Sequence, residues 1–356
     1  MESTKKTIEV FCDWVTVTQT HEEKHQPIYQ GINTYIDGET GESNISYAFK
    51  QLSGKEGSTL TVKSDGHRVQ LSGNVSRWNR AENYQGITLD EVKIQANLIL
   101  RSLGLPEFTG GQVVHLNDGS ATYTGAKFSR IDMTENVSTG SKDNLSHYQQ
   151  WLQTQKPYRL KRTVIGQDTY YGYGSASRTI SSYNKAEQIR NVLIPAARDK
   201  ATIAYLKNLA DWLENNGIIR KEVQYKNQLR KKGWHMWHVA TQAKLSSQFK
   251  KDIHRMTKEV RAPDYGDIPT PVLGTLTMYM AGIDVKERLS ENTYYKHRKI
   301  LSEYGYDISS RNVRLLQPKV KIITLEPAGV PDFYRHHEPI KPVAAQKHSS
   351  QRSEKA

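Results

Sequence analysis

The sequence predicts an α+β protein: a largely antiparallel sheet with flanking helices, followed by a small helical C-terminal unit. Three observations predict it. Short β-branched and aromatic runs, several separated only by tight turns, fill much of the chain up to Gln228. Two amphipathic stretches with clear starts and stops interrupt them. Beyond residue 262 the strand pattern gives way to a Pro/Gly-rich stretch, helical periodicity and a polar tail.

In chain order, "TIEVFCDWVTVT" (7–18) is the first strand, β-branched and partly alternating. "STLTVKS" and "HRVQLSGN" (67–74) pair as a hairpin across Asp65-Gly66. "TLDEVKIQANLILRSLGLP" is a helix that opens with a Thr-Asp/Glu start, carries Val92, Ile94, Ala96, Leu98, Ile99 and Leu103, and stops at Gly104 before Pro106. "GGQVVHL" and "ATYTGAKFSRIDMTEN" read as strands, and 141–156 as a helix with Leu145, Tyr148 and Leu152 on one face. Strands are expected at 168–174 and 177–187, a long helix to about Asn215, and a strand at 217–228. "RAPDYGDIPTPVLG" (261–274) reads as a linker, "TLTMYMAGID" and "VKERLSENTYYKHRKILSEYG" as helices. This divides the chain into a domain of residues 1–262, a helical domain of 263–335, and a tail of 336–356 expected to be disordered.

The 356 residues carry 50 Lys+Arg against 37 Asp+Glu, a net charge of +13. Such a balance favours a polyanionic partner, nucleic acid or an anionic membrane surface. No stretch approaches the roughly 20 apolar residues of a spanning helix, so nucleic acid is favoured and a membrane is not. The start lacks the apolar core of a secretory signal. Cys12 is the only cysteine, which rules out an intrachain disulfide and a thiolate zinc cluster and fits a reducing cytoplasm.

Among 20 tyrosines, Tyr183 in "SRTISSYNKAEQ" has a lysine two residues on. A phenol near pKa 10 is a poor nucleophile at neutral pH unless a cation or base assists it. If 177–187 is one strand, Tyr183 and Lys185 share a face, with Thr179 and Ser181. Asp132, after Phe128 and Ile131, and Glu222, between Ile219 and Val223, are carboxylates in apolar strand contexts. Such residues are paired, exposed or metal-bound. On a solvated face they would pair with Arg130 or Lys221; at a site they would suit Mg²⁺ or Mn²⁺ better than zinc. "WHMWH" reads as an amphipathic helix with Trp234 and Trp237 inward. Lys226, Arg230, Lys231, Lys232, Lys250 and Lys251, and in "TYYKHRK" Lys296, Arg298 and Lys299, interleave positive charge with aromatics, as phosphate contacts and base stacking require.

In "SRIDMT", "YYGYGSASRTISSYNKAEQ" and "GIIRKEVQYKNQLRKKG", in that order, the sequence resembles the replication initiators of filamentous bacteriophages, the gene II protein family, related to rolling-circle plasmid initiators. "DWVTVT" resembles the family's opening strand and "ENTYYKHRKILSEYGYDI" its C-terminal segment. The resemblance implies a rolling-circle nickase-like fold and a site-specific endonuclease and strand-joining enzyme. It implies Tyr183 as nucleophile, Lys185 as its cationic neighbour, and Asp132 and Glu222 as metal ligands for Mg²⁺ or Mn²⁺. Arg130, Arg178 and Arg220 become candidate phosphate contacts, with Lys231, Lys232, Lys296 and Arg298 also on DNA. Asp13 is a further candidate carboxylate. Where some members have Gly-His-Asn, this chain has Asn74 and no histidine, which leaves the third ligand open; His67 is nearby in sequence. The implied partners are single-stranded and duplex origin DNA and the host helicase and polymerase, in the bacterial cytoplasm. The rival readings are a non-enzymatic origin-binding protein or repressor, a tyrosine recombinase, whose His-x-x-Arg motif is absent here, and an RNA-binding accessory protein.

Overall fold

The computed structural model describes residues 9–155, 160–256, 268–303, 306, 308–309 and 323–336. In chain order the strands are β1 (Val10–Thr20), β2 (Ile32–Ile36), β3 (Ser43–Tyr47), β4 (Lys50–Ser53), β5 (Thr59–Ser64), β6 (Arg68–Gly73), β7 (Val113–His115), β8 (Ala121–Tyr123), β9 (Lys127–Ser138), β10 (Arg162–Ile165), β11 (Asp168–Tyr171), β12 (Arg178–Asn184), β13 (Ile218–Tyr225) and β14 (Glu326–Pro327). The helices are α1 (Leu89–Ser102), α2 (Lys142–Thr154), α3 (Lys185–Gln188), α4 (Ile194–Ala196), α5 (Lys200–Asn215), α6 (Asn227–Lys231), α7 (Gln242–Met256), α8 (Thr270–Met280), α9 (Val285–Arg288) and α10 (Glu291–Glu303).

One ten-stranded sheet dominates, in the order β10-β11-β12-β13-β9-β1-β6-β5-β4, with β14 added beside β9. All its pairings are antiparallel. Period-two alternation gives its central strands two unlike faces. Val15, Val17, Ile131, Met133, Ile180 and Val223 form one core with Val92, Ala96 and Ile99 of α1 and Leu245, Phe249 and Ile253 of α7. Farther along the same face, Val137 and Ile219 pack against Leu145, Tyr148 and Leu152 of α2. The opposite face is polar in its middle. One end of it is closed by α3 and α5, whose Ala186, Leu206 and Leu209 pack with Tyr84 and Ile218.

The hairpin at Asp65-Gly66 forms as the sequence predicts: Gly66 takes φ 103° and Asp65 Oδ1 accepts from the backbone of His67 and Arg68. Thr88 and Glu91 cap α1 reciprocally. Other expectations are corrected. The strand at 177–187 stops at Asn184, whose side chain caps α3, so Lys185 leaves the strand. The long helix to Asn215 is interrupted between α3 and α5, where Pro195 removes a donor and Asp199 starts a new cap. The run 121–136 breaks after Tyr123: β7 and β8 form a separate hairpin and β9 begins at Lys127. "WHMWH" is a series of turns, though Trp237 is buried and stacks on Phe128 at 5.2 Å. The sequence reading missed β2, β3 and β4 altogether.

Helices α8 to α10 form a core of their own around Val272, Leu276, Tyr294 and Leu301. The linker expected at 261–274 is in part helical, since α8 starts at Thr270; residues 257–267 lie outside the described residues. Segment 323–336 does not join these helices. It returns to the sheet, pairing with β9 and packing Ala328 and Tyr334 beside Tyr84. The tail from residue 337 onward lies outside the described residues.

Gly217, ahead of β13, takes φ 59°, and a Cβ there would stand 2.2 Å from Ser141 O. Gly217→Ala combines a left-handed backbone with overpacking. It is expected to cost about 2–4 kcal/mol, measured as a lower urea midpoint.

Candidate active site

Register brings the site together. Tyr183 on β12 faces Arg220 on β13, and Ser181 faces Glu222. On the other side of β13, Arg220 faces Asn136, Glu222 faces Thr134 and Gln224 faces Asp132. Residues two apart on a strand share a face, so Tyr183, Arg220, Glu222, Arg130 and Asp132 line one surface. Pairing of β1 with β9 slips between Cys12 and Trp14, and the extra residue is Asp13. A bulge re-aims a side chain in this way. Asp13 Oδ1 accepts from Asn74 Nδ2 at 2.9 Å and Asn83 Nδ2 at 2.8 Å.

Tyr183 is half-buried, and its hydroxyl donates to Glu222 Oε2 at 3.2 Å. Burial, Glu222 and Asp13 push its pKa well above that of a free phenol, and Arg220 opposes them. The guanidinium of Arg220 is fully buried. Its Nε donates to Asn136 Oδ1 at 2.9 Å, and Nη2 to the carbonyls of Asn83 and of Tyr84, the latter at 3.0 Å. Nη1 stands 3.7 Å from Asp13 Oδ1. The cation beside the phenol is therefore Arg220, which is too enclosed to meet a phosphate directly.

The carboxylates crowd one another. Burial first, then Asp132 and Asp13, raise Glu222 to about 8, against the pull of Arg220 and Arg130. Burial raises Asp132 to about 6 although Arg130 opposes it. Asp132 lies in the interior, not on a solvated face, and both its oxygens accept from Arg130 Nε, at 2.9 and 3.1 Å. Arg130 in turn stacks 4.8 Å from the Trp14 ring. No three His, Cys, Asp or Glu side chains among the described residues converge as a metal centre would. The donor chemistry nevertheless suits a hard divalent cation, which binds carboxylate oxygens and would relieve their mutual repulsion. Arg130 holds that place in this arrangement.

Other predicted residues fall elsewhere. Lys185 is buried at the start of α3, and its Nζ donates to Asn83 Oδ1 at 2.6 Å and Gln188 Oε1 at 2.8 Å. Burial, with Arg220 nearby, pulls its pKa well down. Arg178 points to the opposite face, where it pairs with the buried Asp252 of α7. Lys221 also lies on that opposite face, 5.7 Å from the Tyr148 ring, so it is no partner for Glu222. Lys231 and Lys232 are exposed at the end of α6; Lys296 is exposed and Arg298 half-buried on α10. His67 is exposed in the hairpin, away from these carboxylates. Tyr170 pairs in register with Ser181 and so shares the face of Tyr183, whereas Tyr171 is buried and donates to Leu152 O. Sequence reasoning missed Asn83, which joins Lys185, Asp13 and Arg220. A loop asparagine gives no periodic signal, and only its burial reveals it.

Residues 11–247 match the model of the N-terminal family of the phage replication-associated protein, the gene II protein, and residues 275–340 that of its C-terminal family. The chain belongs to the gene II family of replication-associated proteins. It is 28% identical over 215 residues to the replication-associated gene II protein of Escherichia phage If1, covering 53% of this chain and 65% of that protein. It is 21% identical over 347 residues to that of Enterobacteria phage I2-2, covering 90% of this chain and 96% of that protein. A rolling-circle replication initiator protein from Geobacillus stearothermophilus overlaps loosely, with a TM-score of 0.24, 10% identity, and 61% and 74% of the two chains covered.

Folded Glu222 keeps its proton up to about pH 8, whereas an unfolded glutamate releases it near 4.5. The folded state thus binds more protons in that window, and stability falls as pH rises through it. Glu222→Gln removes the titration. Its stability relative to the parent is expected to increase from pH 5 to pH 8 in urea unfolding; a pH-independent difference would contradict this.

Proposed function

We propose that the protein is a replication initiator that nicks and rejoins one strand of phage or plasmid origin DNA through a 5′-phosphotyrosine bond at Tyr183. The observation that carries this is the Tyr183 hydroxyl placed 3.2 Å from Glu222 Oε2, with the buried Arg220 guanidinium behind it. Glu222 takes the phenolic proton as the oxygen attacks phosphorus. Only its ionised form can accept that proton, and a pKa raised to about 8 makes this form the minor one at neutral pH, so nicking should quicken as pH rises towards 8; Arg220 stabilises the phenolate that forms. One P–O bond forms as another breaks, and the departing sugar oxygen leaves as a 3′ hydroxyl for the host polymerase. The reverse step rejoins the strand.

Asp132 and Glu222 would hold Mg²⁺ or Mn²⁺. Such a cation, when bound, polarises the phosphodiester. Arg130, half-exposed beside Trp14, can transfer from Asp132 to a phosphate oxygen. Lys185 acts indirectly, by fixing Asn83 and through it Asp13. Lys231, Lys232, Lys296 and Arg298 supply contacts to origin DNA. Nicking belongs to the sheet domain, and helices α8 to α10 engage DNA or the host helicase. No helix among the described residues is long and apolar enough to cross a membrane, and we assign the activity to the bacterial cytoplasm.

Tyr183→Phe should bind an origin oligonucleotide as the parent does and form no SDS-stable adduct, a loss of at least about a thousandfold. Mass spectrometry of the parent adduct should name Tyr183. Metal-independent binding with no scission of a supercoiled origin plasmid would instead favour a non-enzymatic origin-binding protein or repressor.

A further inference from the structure

A cleft of about 630 Å³ opens at the far end of the same polar face, between the ends of β1 and β9 and the start of α6. Lys226, the residue after β13 ends at Tyr225, lies four positions from Glu222 and lines this cleft. Arg68, Lys127, Lys226 and Arg230 line it, and Glu22 is its acidic member. Several arginines elsewhere are ion-paired, Arg80 with Glu82, Arg101 with Glu107, Arg130 with Asp132, Arg178 with Asp252 and Arg190 with Asp211, although others such as Arg77 and Arg162 are not, among the described residues. The four cleft cations form no ion pair among the described residues. His21 and His235 also line the cleft. His21 Nε2 and His235 Nδ1 lack a hydrogen-bond partner, as do ten other enclosed side-chain atoms among the described residues.

We infer that this cleft holds the backbone of single-stranded DNA flanking the phosphate presented to Tyr183. Cations without a carboxylate partner, set beside two imidazoles, suit phosphate oxygens and base edges. The size fits a nucleotide or two. A duplex, whose major groove alone is about 12 Å wide, is too large. Burial, with Arg230 and Lys127 near, holds His235 below its ordinary pKa, so it stays neutral and can accept as well as donate. The inference rests on the proposed nicking reaction for its orientation, but its test does not depend on chemistry.

The experiment uses the full chain carrying Tyr183→Phe and a labelled oligothymidylate of about 15 nucleotides, read by fluorescence anisotropy against salt. Lys127→Glu/Arg230→Glu should weaken single-strand binding by about tenfold or more and flatten the salt dependence by about 1.4 in log–log slope. Its loss on a duplex of the same length should be smaller. Lys200→Glu/Lys207→Glu, which reverses two exposed charges on α5, should stay within about twofold of the parent. Lys127→Gln/Arg230→Gln gives a milder version should reversal unfold the cleft, and should retain part of the loss. Parent-like binding by both cleft variants, or equal losses in the cleft and α5 variants, would overturn the assignment. Because cleavage is never measured, a failed nucleophile assignment and a failed cleft assignment are separable.

Discussion

A fully buried guanidinium organises this molecule. Removing one partner from a buried charge leaves a cost of about 3–5 kcal/mol, so a residue such as Arg220 persists only where the fold surrounds it with acceptors. Here it does: Asn136 from β9, two carbonyls from the loop around Tyr84, and Asp13 from the bulge in β1. Three sequence-distant segments are thereby fixed around one cation. That cation in turn sits next to Tyr183 and Glu222, and its field opposes the upward shifts that burial imposes on both.

The sheet makes such burial possible because its two faces do different jobs. Apolar side chains of β1, β9, β12 and β13 are consumed by α1, α7 and α2, which supplies the stability that the polar face does not. On the polar face, carboxylates are held close enough to raise one another's pKa values, a condition that favours binding of a cation and proton transfer near neutrality. Arg130 answers part of that demand by pairing with Asp132 while resting on Trp14.

The returning segment at 323–336 ties the other end of the chain to this arrangement. Tyr84, whose carbonyl receives Arg220, donates its own hydroxyl to Gly329 O at 2.6 Å. Tyr334 receives both Arg80 Nη2 and the backbone of Gln85. Helices α8 to α10 lie between two segments that pack on the sheet domain, so whatever they hold is tethered at both sides to the site.

The sequence by itself determined the class of fold and its punctuation. Alternation along 7–18, the Asp65-Gly66 turn and the Thr88–Glu91 cap are local signals, because strand period, turn chemistry and capping act over a few residues. It also singled out Tyr183, by the lysine two residues on, and Asp132 and Glu222, carboxylates in apolar strands, while Asp13 came from the family resemblance. Tertiary structure alone decided which cation serves the phenol. One residue of strand termination at Asn184 moved Lys185 off the face of Tyr183, and antiparallel register placed Arg220 there instead. It likewise turned Arg178 to the helix-covered side and recruited Asn83 from a loop. Those outcomes depend on pairing between segments far apart in the chain, and no local pattern encodes the partner against which a side chain is finally set.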